Sequence, residues 1–419
     1  MAGAKDSGHK SLLERIFPGD KVMWVVIVLL LIFSLFVVYS TTAYDMSANA
    51  GQELIRQIVL ICLGMVGFYI AQAFNISLYK RLAAFALTLI MLLTLVMILL
   101  HKGEGAERSL EIMGLNFQPF ELLKFAVIIN LARQLSTRQK QMDTLRILPS
   151  FRISDWKEDK DKQLDILKNQ TLSILGPIAL CCLMTVKFSN STTLIIAASS
   201  LAMMYLSRVH KCDLWHTIVI GVVCLCGALA LYGKDDSRSG TAVSRLSSWT
   251  PAVMTKSVGV GSDGKEYYKR ATHADGTPKE HDQTLYAKMS IATGMVFGKG
   301  AGQSTNRYLA EADKDMAYAF LIEEYGLAGG LLILFAFLLM YYRSMVIFQK
   351  CASAFPGLMV LGIGTVIVLQ AFIHMLVSVS LFPLTGQQLP IVSKGGTSLI
   401  LLLTMLGAVM GVSARMDEN

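Results

Sequence analysis

Ten predominantly apolar runs, most of them near 20 residues, recur along this chain between short polar or charged segments. A helix rises about 1.5 Å per residue, so roughly 20 such residues cross the ~30 Å hydrocarbon layer of a bilayer. The runs cover roughly 22–39, 54–73, 82–100, 118–135, 171–186, 191–206, 214–231, 316–342, 358–379 and 398–412. Only 16% of residues are charged, against about 25% in soluble domains, and 53% are hydrophobic. The expected fold is an all-α polytopic membrane protein with about ten transmembrane helices.

Charge sets the expected orientation. Lys80, Arg81, the basic residues of 136–171, Arg208, Lys211, Arg343 and Lys350 all fall on one side of a ten-span layout. The excess of Lys and Arg on cytoplasmic loops makes that side the inside. Both termini are then cytoplasmic, with 1–21 and 416–419 as tails and 22–415 as the membrane domain. Residues 136–170 form a cytoplasmic loop, a solvated and partly helical segment. Residues 233–315 form one large outer loop whose Pro251, Pro278 and many Gly argue against a span before Met316. Within it, 253–281 reads as a mobile insertion. The 380–397 segment is also outside, and its irregular backbone near the membrane is expected to line a cavity. No cleavable signal is expected, because the first 20 residues are polar and of mixed charge.

The net charge of +8 suits basic loops against anionic lipid headgroups. The basic residues are scattered, with no aromatic-interleaved patch, so nucleic acid is not an expected partner. The seven cysteines lie mostly inside apolar runs with no metal-binding spacing, and read as small packing residues.

The polar residues that remain converge on the outer face. The stretch from Gly298 to Gly330 starts as a Gly-rich loop and ends inside an apolar run, and carries Glu311, Asp313, Asp315, Glu323 and Glu324. Asp315 stands where loop becomes helix. A half-shielded carboxylate there suits a general base, while a solvated helix start that favours negative charge is the simpler reading. Glu323, with Glu324 beside it, lies roughly 12 Å deeper along that helix, at 1.5 Å per residue, where both are expected to pair with a buried cation. Glu121 and Lys124 stand i,i+3 within the fourth run, so a mutual ion pair competes with a functional role. Arg56, near the outer end of the second run, snorkels or meets an acid. Arg108, Lys124, Lys299 and Lys394 supply cations at or near this face. Cations and free N–H groups suit a phosphate, and a carboxylate suits deprotonation of a hydroxyl. A lipid-linked diphosphate satisfies both.

These residues fall into motifs. Gly105-Ala106-Glu107-Arg108, then Gln118-Pro119-Phe120-Glu121 and Lys124, stand where the SEDS family (shape, elongation, division and sporulation; RodA and FtsW are members) has G-A-R-R-W and Q-P-S-E-x-x-K. GKGAGQS at 298–304 and LAEADKDMAYA at 309–319 match its G-K-G-x-G-x-S and L-P-E-A-H-T-D-F-x-F patterns. PLTGQQLPIVSKGGTS at 383–398 matches its P-x-T-G-x-x-L-P-x-x-S-x-G-G-[ST]-S, and Glu323-Glu324-Tyr325-Gly326 its G-E-E-x-G. The chain thus resembles the SEDS family over nearly its whole length. Three departures stand out. The family's P-D-x-G-T is here Phe188-Ser189-Asn190-Ser191-Thr192, without the Asp. Asp313-Lys314 replace His-Thr before Asp315, and His374 stands where the family often has Asn. Lys394, at a position often aromatic in RodA-like members, leans the resemblance toward the FtsW side.

The resemblance implies a peptidoglycan glycosyltransferase that polymerises lipid II at the outer face of the inner membrane, in division or elongation. It implies Asp315 as general base, and Arg108, Gln118, Glu121, Lys124, Lys299, Ser304, Glu311, Lys394 and Ser398 as substrate-binding residues. Glu323, Glu324 and Arg56 would support them. It also implies a class B penicillin-binding protein and other divisome or elongasome proteins as partners, beside membrane lipids. A divalent metal, Mg2+ or Mn2+, is suggested by the family, although no carboxylate cluster in the sequence predicts a closed site. Two other readings of the same residues are a lipid II flippase and a scaffold that activates the penicillin-binding protein.

Overall fold

The computed structural model describes residues 17–43, 50–100, 110–112, 115–139, 146–149, 159–186, 188–232, 280–304 and 315–416. The helices are α1 (Lys21–Ala43), α2 (Ala50–Ala73), α3 (Ile76–Leu100), α4 (Pro119–Arg138), α5 (Lys160–Asp165), α6 (Leu172–Val186), α7 (Asn190–Leu206) and α8 (Lys211–Tyr232). After them come α9 (Glu280–Gly294), α10 (Ala317–Lys350), α11 (Ala354–Ser378) and α12 (Thr397–Met416). A π-helical turn, Ile166–Thr171, joins α5 to α6. Helix covers each of the ten expected runs. Among the described residues, seven helical segments are long and apolar enough to cross a membrane: α1, α2, α3, α5 with α6, α10, α11 and α12. The molecule is thus a helical, multi-pass membrane protein.

Two elements depart from the sequence expectation. A short antiparallel hairpin, β1 (Leu110–Ile112) and β2 (Leu115–Phe117), precedes α4, so the fold is not purely helical. Leu110, Ile112, Leu115 and Phe117 alternate with Glu111 and Asn116, the period-two pattern of a strand. The second is α9, a helix inside the expected outer loop, which packs along α10. The 253–279 part of that loop lies outside the described residues.

The centre of the bundle is α11. It is apolar all round and buried along most of its length against α4, α7, α10 and α12, as such a helix must be. By contrast α2 and α3 leave Ile55, Val59, Leu89 and Leu92 exposed, a surface that suits lipid tails. The close pair α2–α12 depends on small residues: a Cβ on Gly407 would stand 2.1 Å from the Phe68 carbonyl oxygen. Asp20 caps α1 through the Met23 N–H (2.9 Å) and pairs with Arg343 of α10.

α10 is broken at Gly326, whose φ of +71° and ψ of −176° belong to a region open to glycine alone. In an unbroken helix the N–H groups of Leu327 and Ala328 would bond the carbonyls of Glu323 and Glu324. Here the segment after α9 takes both sets. Lys299 and Gly300 donate to the Glu323 and Glu324 carbonyls (3.0 and 2.8 Å), and Leu327 and Ala328 donate to those of Met295 and Val296 (2.9 and 3.1 Å). This is how irregular backbone survives beside a membrane-crossing helix: each opened peptide group is paired again within the protein.

Candidate functional site

The start of α4, the N-terminus of α7, the C-terminal half of α11, the segment before α12 and the start of α12 enclose a cleft. Gln118, Glu121, Gln370, Gln387, Gln388 and Ser398 supply much of its polar lining. From Gln118, Glu121 and Ser398 the cleft continues into a mostly apolar groove between α4 and α12, lined by Leu122, Ile400 and Leu401. A polar chamber opening on an apolar groove is suited to a molecule with a polar head and a hydrocarbon tail.

Pro119 at the first position of α4 fixes the turn into the helix without losing a needed N–H, and sets Gln118 at its cap. One turn on, the Lys124 ammonium is fully buried, 2.8 Å from the Glu121 carboxylate and 2.7 Å from Gln370 Oε1. The expected i,i+3 pair therefore forms, but as part of a buried bridge to α11. Gln370 Nε2 donates to the Gln388 carbonyl at 3.1 Å, which carries the bridge into the loop before α12. Gln370 was not among the sequence candidates. Its signal is an amide in a largely apolar span, one turn before His374, since such a group needs a partner.

The family's missing Asp leaves neutral hydroxyls at the start of α7. Ser189 caps the helix, and Gln387 Nε2 donates to Ser191 Oγ at 2.9 Å. Ser191 Oγ in turn donates to the Thr385 carbonyl at 3.1 Å. Ser189 and Thr192 line the cleft, so its wall at this point carries no charge.

Lys299 and Ser304, expected to bind substrate, both reach Glu323: Lys299 Nζ stands 2.6 Å from its Oε1, and Ser304 Oγ donates to its Oε2 at 2.8 Å. Glu324 accepts from the Ser40 hydroxyl of α1 and from the Gly302 N–H at 3.0 Å. Both acids are buried. Glu323 thus has a cation partner, Lys299, which is itself only half-buried, while Glu324 is met by the neutral Ser40 and Gly302; the Glu323–Lys299 pair ties the Gly-rich loop to α10. Near the start of α2, Glu53 stands 3.4 Å from Lys394 Nζ and 3.9 Å from Arg56. Gln57 Oε1 accepts from the Gly395 N–H at 3.2 Å. Ser398 Oγ donates to Gln388 Oε1 at 3.3 Å.

Asp315 is half-buried and lies two residues before α10. Arg108 and Glu311 lie outside the described residues, as do Asp313 and Lys314. Among the described residues, no group of three or more His, Cys, Asp or Glu side chains is placed to hold a metal ion.

Sequence and fold comparisons agree with this architecture. A family model described as cell cycle protein, covering FtsW, RodA and SpoVE, matches residues 20–418. The chain is 26% identical to a probable peptidoglycan glycosyltransferase FtsW of Bacillus subtilis over 408 residues, covering 94% of this chain and 90% of that protein. It is 25% identical to stage V sporulation protein E of the same organism over 406 residues, covering 94% and 96%. A chain solved in a peptidoglycan synthase complex superposes with a TM-score of 0.65 at 18% identity, covering 96% of this chain and 99% of that one. Rod shape determining protein RodA of Thermus thermophilus superposes at 0.57 and 18% identity, covering 95% and 97%. The chain belongs to the FtsW, RodA and SpoVE family, and within it is FtsW-like.

Proposed function

We propose that this protein is a peptidoglycan glycosyltransferase that polymerises lipid II into glycan strands. The observation that carries the reading is the polar cleft opening into an apolar groove between α4 and α12. A lipid-linked disaccharide has that division of character: sugars and diphosphate for the cleft, polyprenyl tail for the groove. Family membership and FtsW-named relatives over more than nine-tenths of the chain support the same activity. In this reading ten helices cross the inner membrane, both termini are cytoplasmic, and the cleft faces outward, as the distribution of Lys and Arg favours.

Asp315 is the general base. It takes the proton from the acceptor sugar's hydroxyl as that oxygen bonds to the anomeric carbon of the growing chain. The bond from that carbon to the lipid diphosphate breaks, and the diphosphate leaves with the electron pair. One displacement inverts the anomeric centre and needs a single base. Lys394 stands beside the cleft residues Ser393 and Gly395 and is suited to meet the leaving diphosphate. Lys124, fully buried in its pair with Glu121, acts through its field and through the shape it gives the cleft. A class B penicillin-binding protein that cross-links the product is the expected partner, in line with the synthase complex to which the fold is similar.

The test is polymer formation from purified lipid II by the parent and by Asp315→Asn, with and without the penicillin-binding protein. Asn keeps the size of the side chain and removes the proton acceptor, so a loss of about 10²–10⁴ in rate is expected. Polymerisation by Asp315→Asn at the parent rate would overturn the assignment. A flippase or a scaffold needs no base here.

A further inference from the structure

The first N–H groups of a helix have no partner in the helix itself, and a side chain at the cap position normally accepts from the N–H two residues in. At the start of α10 the cap position is Met316, which has no such acceptor. The N–H two residues in is that of Tyr318, and it donates to His374 Nε2 of α11 at 3.4 Å. The cap is thus supplied from another helix.

The other ring nitrogen is committed as well. His374 Nδ1 stands 2.7 Å from the Gln387 carbonyl oxygen. A carbonyl can only accept and a backbone N–H can only donate, so the ring carries its proton on Nδ1 and a lone pair on Nε2. The ring has no solvent exposure. One turn earlier on α11, Gln370 holds the next carbonyl of the same loop, that of Gln388. Successive loop carbonyls are therefore clamped by successive turns of α11. Of these two side chains it is His374 that extends the clamp to α10, at Tyr318, three residues from Asp315.

We propose that His374 is a positioning residue for Asp315. Its Nδ1-protonated ring ties the start of α10 to the cleft loop, and so sets where the Asp315 carboxylate stands against a substrate in the cleft. The inference rests on the reading of Asp315 as base. Misplacing a reacting group by about 1 Å costs up to about 10²-fold in rate, with substrate binding little changed.

The test compares His374→Leu and His374→Met, which remove both hydrogen bonds, with His374→Gln, whose side-chain oxygen reaches about as far as Nε2 and can still accept from Tyr318. Full-length protein is assayed with purified lipid II for kcat and KM, alongside its melting temperature. The expected result is a fall in kcat of about 10- to 100-fold in the apolar variants, an unchanged KM, and recovery to near the parent kcat in His374→Gln. An apolar variant at the parent kcat would overturn the proposal. So would a kcat equally low in His374→Gln, or failure of both apolar variants to fold, since each points to packing alone. In an Asp315→Asn background His374→Leu should slow the residual reaction no further. If Asp315→Asn itself is fully active, the base assignment fails, whatever the His374 variants do.

Discussion

At the residue scale the most consequential finding is that the membrane-level charges are committed to partners. Lys124 is the clearest case. On sequence grounds it is either an ion-pair member or a diphosphate ligand, and the structure buries its ammonium between Glu121 and Gln370. Removing one member of a buried pair leaves the other charge uncompensated and costs about 3–5 kcal/mol, whereas replacing both by apolar groups is often neutral. Lys124→Ala is therefore expected to lower thermal stability strongly, and Glu121→Met with Lys124→Met to restore much of it while activity stays low. Melting curves and lipid II turnover on the three proteins check this. If Lys124→Ala melts like the parent but does not polymerise, Lys124 touches substrate rather than shaping the cleft. Glu323 follows the same logic: Glu323→Gln loses its charge pairing with Lys299, so the Gly-rich loop should become more susceptible to protease while Asp315 is untouched.

At the element scale the distinctive unit is the α9 segment joined to the break in α10. Gly326 makes it possible. A Cβ there would lie 2.2 Å from the Val296 carbonyl oxygen, and the backbone region is one that L side chains avoid. Gly326→Ala must therefore either push residues 295–298 away or straighten α10, and both abandon the hydrogen bonds between the two. A loss of at least about 2–3 kcal/mol is expected from strain and lost pairing. Hydrogen exchange should show the amides of Lys299, Gly300, Leu327 and Ala328 losing protection together. Unchanged protection at those four positions would mean that the break is not held by the α9 segment.

At the scale of the whole molecule, the cleft stands on residues up to about 280 positions apart, from Gln118 to Ser398 and Leu402, with α11 as the common support. The 253–279 stretch lies outside the described residues, and in the sequence it is polar, Gly-rich and apart from the motifs that match the family. Replacing it with a short Gly/Ser linker should leave polymerisation near the parent rate, measured on purified lipid II; a folded but inactive protein would show that the stretch binds substrate or partner. The sequence by itself determined the helical membrane class, the positions of helices over the ten runs, the spacing that allows a Glu121–Lys124 pair, and the order of the polar motifs. These follow from local quantities: the length of an apolar run, the spacing of two charges on a helix, the order of short patterns. Only the tertiary structure decided that α9 packs on α10, that Lys299 belongs to Glu323, that Gln370 joins Lys124 to the loop, and that His374 caps a helix to which it does not belong. Each of these is a hydrogen bond or ion pair between residues distant in sequence. No local pattern encodes such a pairing, because the geometry that brings the partners together exists only once the bundle has closed around α11.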